Sequence, residues 1–175
     1  SPMEMSMIIR STGLSYDDSF LSQADDYKKY NTPYRQALNL GIYGTDLIYT
    51  NIFEMNQDGM GYIKSIKSLA NELNIGQFFN MQLITELAVN SGNIDSLLLI
   101  TVRNFNDINR HLQSQKRANL SVLLLVGGWL EGVHINCAMA RNHPGNEVLE
   151  EKIGEQKIFL ESILLLVNFY AGSDP

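Results

Sequence analysis

The chain has 175 residues, a length that predicts one domain with a substantial buried core. Apolar residues make up 45% of the chain and charged residues only 18%, a composition that excludes intrinsic disorder. The formal charge of -6 and the pI near 5.0 exclude general nucleic-acid binding, which needs concentrated positive charge, and disfavour docking to anionic lipid.

Residues 1–31 form a weakly patterned N-terminal segment, which we separate from a single helical domain over 32–175. Within this segment, 3–12 has the pattern of a short helix that ends at Gly13. The stretch 17–30 is polar and mixed, and it predicts a covering segment that packs loosely. The first residues lack a charged region followed by an apolar one, so no signal peptide is predicted.

Apolar residues spaced three or four apart predict helices from residue 32 onward. Thr32 is a suitable N-cap, and Pro33 suits the first helical position because its missing N–H would be unpaired there. The pair Asp58-Gly59 predicts a break after the first helix. A cap at Asn93 predicts the start of the fourth. The first four helices are predicted over about 33–56, 60–73, 77–90 and 94–112.

The last two predicted helices differ from the others because their apolar residues are not confined to one face. The fifth, about 118–141, is apolar almost all round, which predicts a central helix covered by several neighbours. The sixth, about 147–170, is amphipathic at first, with Leu160 and Leu164 in its predicted seam. Its second half, 158–170, is apolar on more than one face, so it either inserts into the core or forms a contact between subunits.

The predicted architecture is an all-α antiparallel bundle of five to six main helices around the central helix at 118–141. Connections of two to six residues favour antiparallel neighbours. The most apolar windows, 120–133 and 158–170, fall short of the roughly 20 residues of a transmembrane helix, and each contains a glutamate. We therefore predict no transmembrane span.

Five glycines lie inside strongly patterned helices, where each costs up to about 1 kcal/mol relative to alanine. One explanation is a close helix crossing, in which the missing side chain lets two backbones touch. The other is a cleft that leaves room for a ligand. The five residues are Gly41, Gly44, Gly127, Gly128 and Gly132.

Two acidic residues fall on otherwise apolar parts of their helices. Glu131 lies among the glycines of the fifth helix, and Asp46 has a similar position in the first. A buried carboxylate must be paired or protonated, so a polar network between helices is the structural interpretation. The functional alternative is a small-ligand site formed by Asp46, Glu131 and His134.

A metal-binding version of that alternative rests on the Glu-x-x-His spacing of Glu131 and His134, which occurs in helical di-iron sites. Such a site needs a second Glu-x-x-His and two further carboxylates on facing helices, and the sequence has no second copy. A mononuclear site of Asp46, Glu131 and His134 is the remaining metal hypothesis. We assign no metal ligand and predict no cofactor.

Common catalytic patterns are missing from the sequence, including Gly-x-Ser-x-Gly, the phosphate loop, the dinucleotide fingerprint and His-Glu-x-x-His. The single cysteine, Cys137, lies in an apolar run and is predicted to be a small core residue. A nucleophilic role would need an activating base, for which His134 is the nearest residue in sequence. A hydrolase using Cys137 or His134 is therefore the weakest functional class, and no catalytic residue is assigned.

Three stretches of the chain, LNLGIYGTDLIYTNIF, LANELNIGQFF and VLLLVGGWLEGVHI, carry a resemblance to a known family. They resemble a family of uncharacterised all-helical lipoproteins from Bacteroidetes-type bacteria, over most of 32–170. The resemblance implies a precursor whose leader has been removed, a lipid anchor, and a periplasmic or outer-membrane-anchored location. The family motifs fall here on Gly41, Tyr43, Gly44, Asp46 and Leu47, and on Gly127, Gly128, Trp129, Glu131 and Gly132.

These observations favour a non-enzymatic cell-envelope domain that binds an unknown protein partner or assembles with itself. The apolar stretch Ile158–Tyr170 is the predicted contact between copies of the chain. The alternative is a small-ligand or metal-binding protein with its site around Asp46, Glu131 and His134. The two hypotheses differ in whether these three side chains converge on one site.

Overall fold

The computed structural model describes residues 13–171, and these residues are all-α, with no strand among them. The helix predicted for 3–12 lies outside the described residues. Two 3-10 turns, Asp18–Phe20 and Ala24–Lys29, come first, and a third, Gly76–Phe78, precedes α3. The α-helices are α1 (Pro33–Ile52), α2 (Asn56–Glu72), α3 (Met81–Val89), α4 (Ile94–Ser114), α5 (Ala118–Asn142) and α6 (Glu147–Ala171).

The predicted helical bundle around a central helix is confirmed. The central helix is α5, which packs against α1, α4 and α6, and its contact with α1 is the most extensive in the structure. The predicted caps are also present: Thr32 Oγ1 accepts from the Arg35 amide at 3.4 Å, and Asn93 Oδ1 accepts from the Ser96 amide at 3.1 Å. Both caps satisfy amides that would lack partners at a helix start.

The first helix ends earlier than predicted, at Ile52 rather than at Asn56. Glu54 adopts a left-handed φ of 59°, and the Met55 amide donates to the Thr50 carbonyl at 2.8 Å, which closes the helix end. Gly59, expected to mark the break, instead lies inside α2. A Cβ there would come within 3.1 Å of Thr50 Oγ1, so this glycine allows α2 to approach α1 closely.

The N-terminal strap, which we define as residues 14–30, covers one side of α1, α2 and α5, as predicted. The prediction that it packs loosely is wrong. Side chains from the helices donate to its carbonyls: Tyr62 Oη to Ser22 at 2.8 Å, Ser65 Oγ to Ala24 at 2.7 Å and Tyr43 Oη to Gln23 at 3.1 Å. The strap can therefore pack tightly although many of its side chains are polar, because its backbone carbonyls accept hydrogen bonds from the helices.

The last helix, α6, does not insert into the core. Its strongest packing is against α5, through a stripe of three buried residues at seven-residue spacing: Leu149, Gln156 and Ile163. The predicted seam is wrong at Leu160 and Leu164, which are exposed. Leu165 and Phe169 are 73% and 70% exposed, so the second half of α6 presents an apolar outer face.

The central helix α5 is long and apolar enough, by length and composition alone, to cross a membrane. Within its most apolar stretch, 28% of the residues are buried in the described structure. A core helix of a soluble protein meets the same criterion, so the prediction that the chain has no transmembrane span stays a prediction.

Candidate functional site

The crossing of α1 and α5 is closed by two glycines. A Cβ added at Gly41 would overlap the Leu124 carbonyl oxygen, and one added at Gly127 would overlap the Leu38 carbonyl. The Thr45 hydroxyl also donates to the Gly128 carbonyl across the crossing, at 3.1 Å. The structural interpretation of the mid-helix glycines is therefore correct at Gly41 and Gly127.

The same crossing brings the carboxyl groups of Asp46 and Glu131 together. Asp46 is fully buried, and Glu131 is 7% exposed. Both Asp46 oxygens and Glu131 Oε1 lack a hydrogen-bond partner of good geometry among the described residues. Burial, followed by the neighbouring Glu131 carboxyl, raises the pKa of Asp46 well above its ordinary value, and burial also raises the pKa of Glu131. The pair therefore retains a proton at neutral pH.

The strap and two tyrosines enclose this carboxyl pair. The hydroxyl and amide of Ser22 act on Asp46 and oppose part of the rise in its pKa. Burial raises the pKa of both Tyr43 and Tyr62, and the charge of Asp46 adds to each rise. Neutral phenols and a protonated carboxyl leave little charge to be solvated in this region, which is compatible with its burial.

His134 lies at the edge of the carboxyl pair, with its ring exposed. Its Nε2–H donates to the Phe20 carbonyl at 3.1 Å, and its charge lowers the pKa of Glu131 against the larger effect of burial. Of the three predicted ligand-binding residues, the structure therefore brings Asp46 and Glu131 together and places His134 beside Glu131. Across residues 13–171, no group of three or more His, Cys, Asp and Glu side chains is arranged to hold a metal ion.

A separate cleft of about 430 Å³ lies between α1, α4, α5 and α6, with part of α3 at its margin. Its walls are almost entirely apolar, and the three predicted site residues do not line it. Trp129, the single tryptophan of the chain, lines the cleft and donates through Nε1 to Gln156 Oε1 at 3.1 Å. Other lining residues include Leu40, Ile48, Leu87, Phe105, Leu124, Val133, Phe159 and Leu166.

Gly44 gives this cleft part of its width. The residue lines the cleft, and a Cβ added to it would meet no atom within 4 Å. Gly128 and Gly132 line the same space from α5. The second interpretation of the mid-helix glycines, a cleft with room for a ligand, is therefore supported at Gly44, three residues from the glycine that closes the crossing.

Sequence reasoning missed the polar residues that line the cleft and misplaced Cys137. Lys152, Gln156 and Asn136 were not singled out, although the spacing of Lys152, Gln156, Phe159 and Ile163 along one face of α6 was a usable signal. Cys137 is exposed rather than buried, because the inner side of this part of α5 is formed by its neighbours Ile135, Ala138 and Met139.

The molecule is an all-α bundle with an apolar cleft between its helices. No protein-family model, curated protein or solved structure matches the chain. The resemblance to helical lipoproteins therefore stays a prediction, and the function must be argued from the geometry of the molecule.

Proposed function

We propose that this chain is a non-enzymatic binding domain that takes up an elongated apolar ligand in the cleft between α1, α4, α5 and α6. The observation that carries the proposal is the cleft itself: about 430 Å³, with almost wholly apolar walls and open space above Gly44. Small-molecule sites have volumes of roughly 300–1,000 Å³ and walls of this composition.

The hydrophobic effect supplies the driving force for such binding. Covering apolar walls contributes roughly 25 cal/mol per Å² removed from water, before the cost of immobilising the ligand. The hydroxyls of Thr45 and Thr101, which line the cleft from α1 and α4, do not oppose this because they already donate to helix carbonyls. An apolar chain can therefore enter without leaving those hydroxyls unpaired.

Titration of the protein with 1-tetradecanol, followed by the emission of Trp129, tests this proposal. Because Trp129 is the single tryptophan and lines the cleft, its emission reports on this site rather than on the outer face of α6. We expect a saturable change in wild-type protein. Gly44→Leu should abolish the change, since the new side chain would start at a position that lines the cleft and where a Cβ meets no atom within 4 Å.

The matched control is Leu165→Gln, which removes an exposed apolar side chain of α6 outside the cleft. This variant should bind 1-tetradecanol as the wild type does. The proposal is wrong if Trp129 emission does not saturate, or if Gly44→Leu, folded as judged by circular dichroism, binds equally well.

Self-assembly through the outer face of α6 is the second candidate function. It is favoured by the exposure of Ile158, Leu165 and Phe169, which lie on a helix packed mainly against α5. Apolar patches of this kind often mark contacts between proteins. Light scattering after size exclusion should show a dimer that Leu165→Glu converts to a monomer, and a wild-type monomer at high concentration would remove this candidate.

A location in the cell envelope is part of the same proposal, and the resemblance to helical lipoproteins is its support. Such a location would place an apolar-ligand carrier beside membranes that contain acyl chains. Expression of the native gene with radiolabelled palmitate, followed by fractionation, tests it. Label on the protein in the membrane fraction is expected, and an unlabelled protein in the soluble cytoplasmic fraction would contradict it.

A further inference from the structure

We propose that the ligand of this cleft is a long-chain fatty acid, held with its carboxylate near Lys152 and Asn136 and its alkyl tail toward Leu166. This inference rests on the proposed function and goes further, because it names the ligand class and its orientation. The structure supports it through two observations: the polarity of the cleft changes along its length, and one lining residue carries a charge.

The two ends of the cleft are fixed by the register of α5 against α6. A short connection, residues 143–146, makes these helices antiparallel, and the hydrogen bond from Trp129 to Gln156 fixes which residues are opposite. Asn136 and Lys152 therefore lie at the end near the connection. Leu124 on α5, and Ile163 and Leu166 on α6, lie at the other end.

Lys152 supplies the positive charge at the polar end. Among the described residues that line the cleft, it is the one with a charged side chain, and this side chain is only 30% exposed. Its ammonium group contacts both carboxylate oxygens of Glu155, at 2.8 and 2.7 Å. A ligand carboxylate would compete with Glu155 for this ammonium, whereas a cationic head group would be repelled.

Asn136 adds polar groups at the same end of the cleft. Its side chain lines the cleft and is 9% exposed. Its buried Oδ1 atom has no hydrogen-bond partner in the part of the chain that the structure describes, but this atom is an acceptor and cannot pair with a carboxylate. The groups of Asn136 that could donate to a ligand carboxylate are its two N–H donors.

The apolar end is suited to a linear tail. Lining residues on α6 extend from Lys152 to Leu166, a distance of about 21 Å at 1.5 Å per residue. Ser162 is the polar exception in this half, but its hydroxyl already donates to the Ile158 carbonyl at 3.3 Å. An apolar cleft of this length with one charged end fits a fatty acid better than it fits a compact apolar molecule.

The test compares three ligands of one chain length: tetradecanoate, 1-tetradecanol and tetradecyltrimethylammonium, each titrated below its micelle concentration and followed by Trp129 emission. We expect tetradecanoate to bind about tenfold more tightly than the alcohol, and the cation to bind most weakly. Lys152→Met should remove the advantage of tetradecanoate over the alcohol while leaving the alcohol bound.

Glu155→Gln distinguishes a ligand-binding role of Lys152 from a merely structural one, because a structural role predicts no change in tetradecanoate affinity. Removing the competing carboxylate should strengthen tetradecanoate binding about threefold and leave 1-tetradecanol binding unchanged. Equal affinity for the acid and the alcohol, or no response to either variant, would overturn the fatty-acid inference while leaving the apolar cleft intact.

Failure of the inference is distinguishable from failure of the proposed function. If none of the three ligands changes Trp129 emission, the proposed function itself fails. If emission instead changes with protein concentration and with the measured mass, a second copy of the chain occupies the cleft, and the fatty-acid inference is wrong.

Discussion

The two sides of the central helix α5 are built on opposite principles. On one side, α5 and α1 touch backbone to backbone at Gly41 and Gly127, with no space for a methyl group. On the side toward α6, the helices α1, α4, α5 and α6 surround an apolar cleft of about 430 Å³. Glycines in one helix can therefore either permit a close backbone contact or leave open space. Their position in the sequence alone does not indicate which of these two roles each glycine has.

The closed side also holds the buried Asp46–Glu131 carboxyl pair. A tight crossing excludes the water that would otherwise solvate these groups, so the pair persists by retaining a proton. The open side is the place for a ligand because water there can be displaced. The two sides therefore have different expected responses to mutation and to pH.

The largest effect is expected from a side chain added at the crossing. Gly127→Ala should lower the free energy of unfolding by about 3 kcal/mol, since the new methyl group overlaps the Leu38 carbonyl and the helices must separate. Urea denaturation followed by circular dichroism measures this. A change below about 1 kcal/mol would contradict the backbone contact and remove the distinction between the two sides.

The next effect concerns pH and the carboxyl pair. The folded pKa values of Asp46 and Glu131 lie above their ordinary values of 3.8 and 4.5, so above these values the folded state binds more protons than the unfolded state. The stability from this pair is therefore fully present at low pH and is lost as pH rises, by at most about 1.4 kcal/mol per pH unit for each carboxyl group. Urea midpoints measured from pH 5 to 8 test this.

The control for the pH experiment is the double variant Asp46→Asn/Glu131→Gln, which keeps the shapes and removes both carboxyl groups. It should show a flatter pH dependence than the wild type over the same range. Parallel curves for the two proteins would mean that the pair is ionised in the folded state.

A smaller effect is expected where the strap joins the closed side. Tyr62→Phe removes the hydrogen bond from the Tyr62 hydroxyl to the Ser22 carbonyl, and should lower the free energy of unfolding by about 1 kcal/mol. Hydrogen exchange of amides in the strap should accelerate as well. Tyr34→Phe, at an exposed position, is the matched control. If both variants had the same free energy of unfolding and the same strap exchange rates, the hydrogen bond from Tyr62 would not hold the strap in place.

The smallest effect is expected on the open side. Gly44→Ala adds a methyl group where nothing lies within 4 Å, and alanine has the higher helix propensity. The variant should therefore be as stable as the wild type or more stable, by up to about 1 kcal/mol. A loss of stability comparable to that of Gly127→Ala would show that this side is as tightly packed as the crossing.

The helices themselves could be predicted from the sequence because their apolar spacing and caps are local signals. Thr32 and Asn93 cap their helices as predicted, and the central position of α5 follows from its apolar circumference. The end of α1 could not be predicted, because Gly59 was interpreted as a break when its role depends on how closely α2 approaches α1. Tertiary contacts decide whether such a glycine ends a helix, and the local spacing of residues does not reveal those contacts.

The candidate site was predictable only in part. Asp46 and Glu131 stood out because a carboxylate on an apolar helix face is costly, and the structure does bring them together. Lys152 and Asn136 did not stand out, since a lysine in a charged stretch and an asparagine in a long helix are each ordinary. Their significance comes from the register of α5 against α6, which sets both at one end of the cleft.

Quenching of Trp129 by tetradecanoates that each carry one bromine atom is the most direct test of the central claim, that the open side of α5 binds an apolar chain. Trp129 lies between the polar and apolar ends of the cleft. The account predicts saturable quenching that is strongest for bromine near the middle of the chain and absent in Gly44→Leu. Quenching that is absent, or that is the same in both proteins for every bromine position, would contradict it.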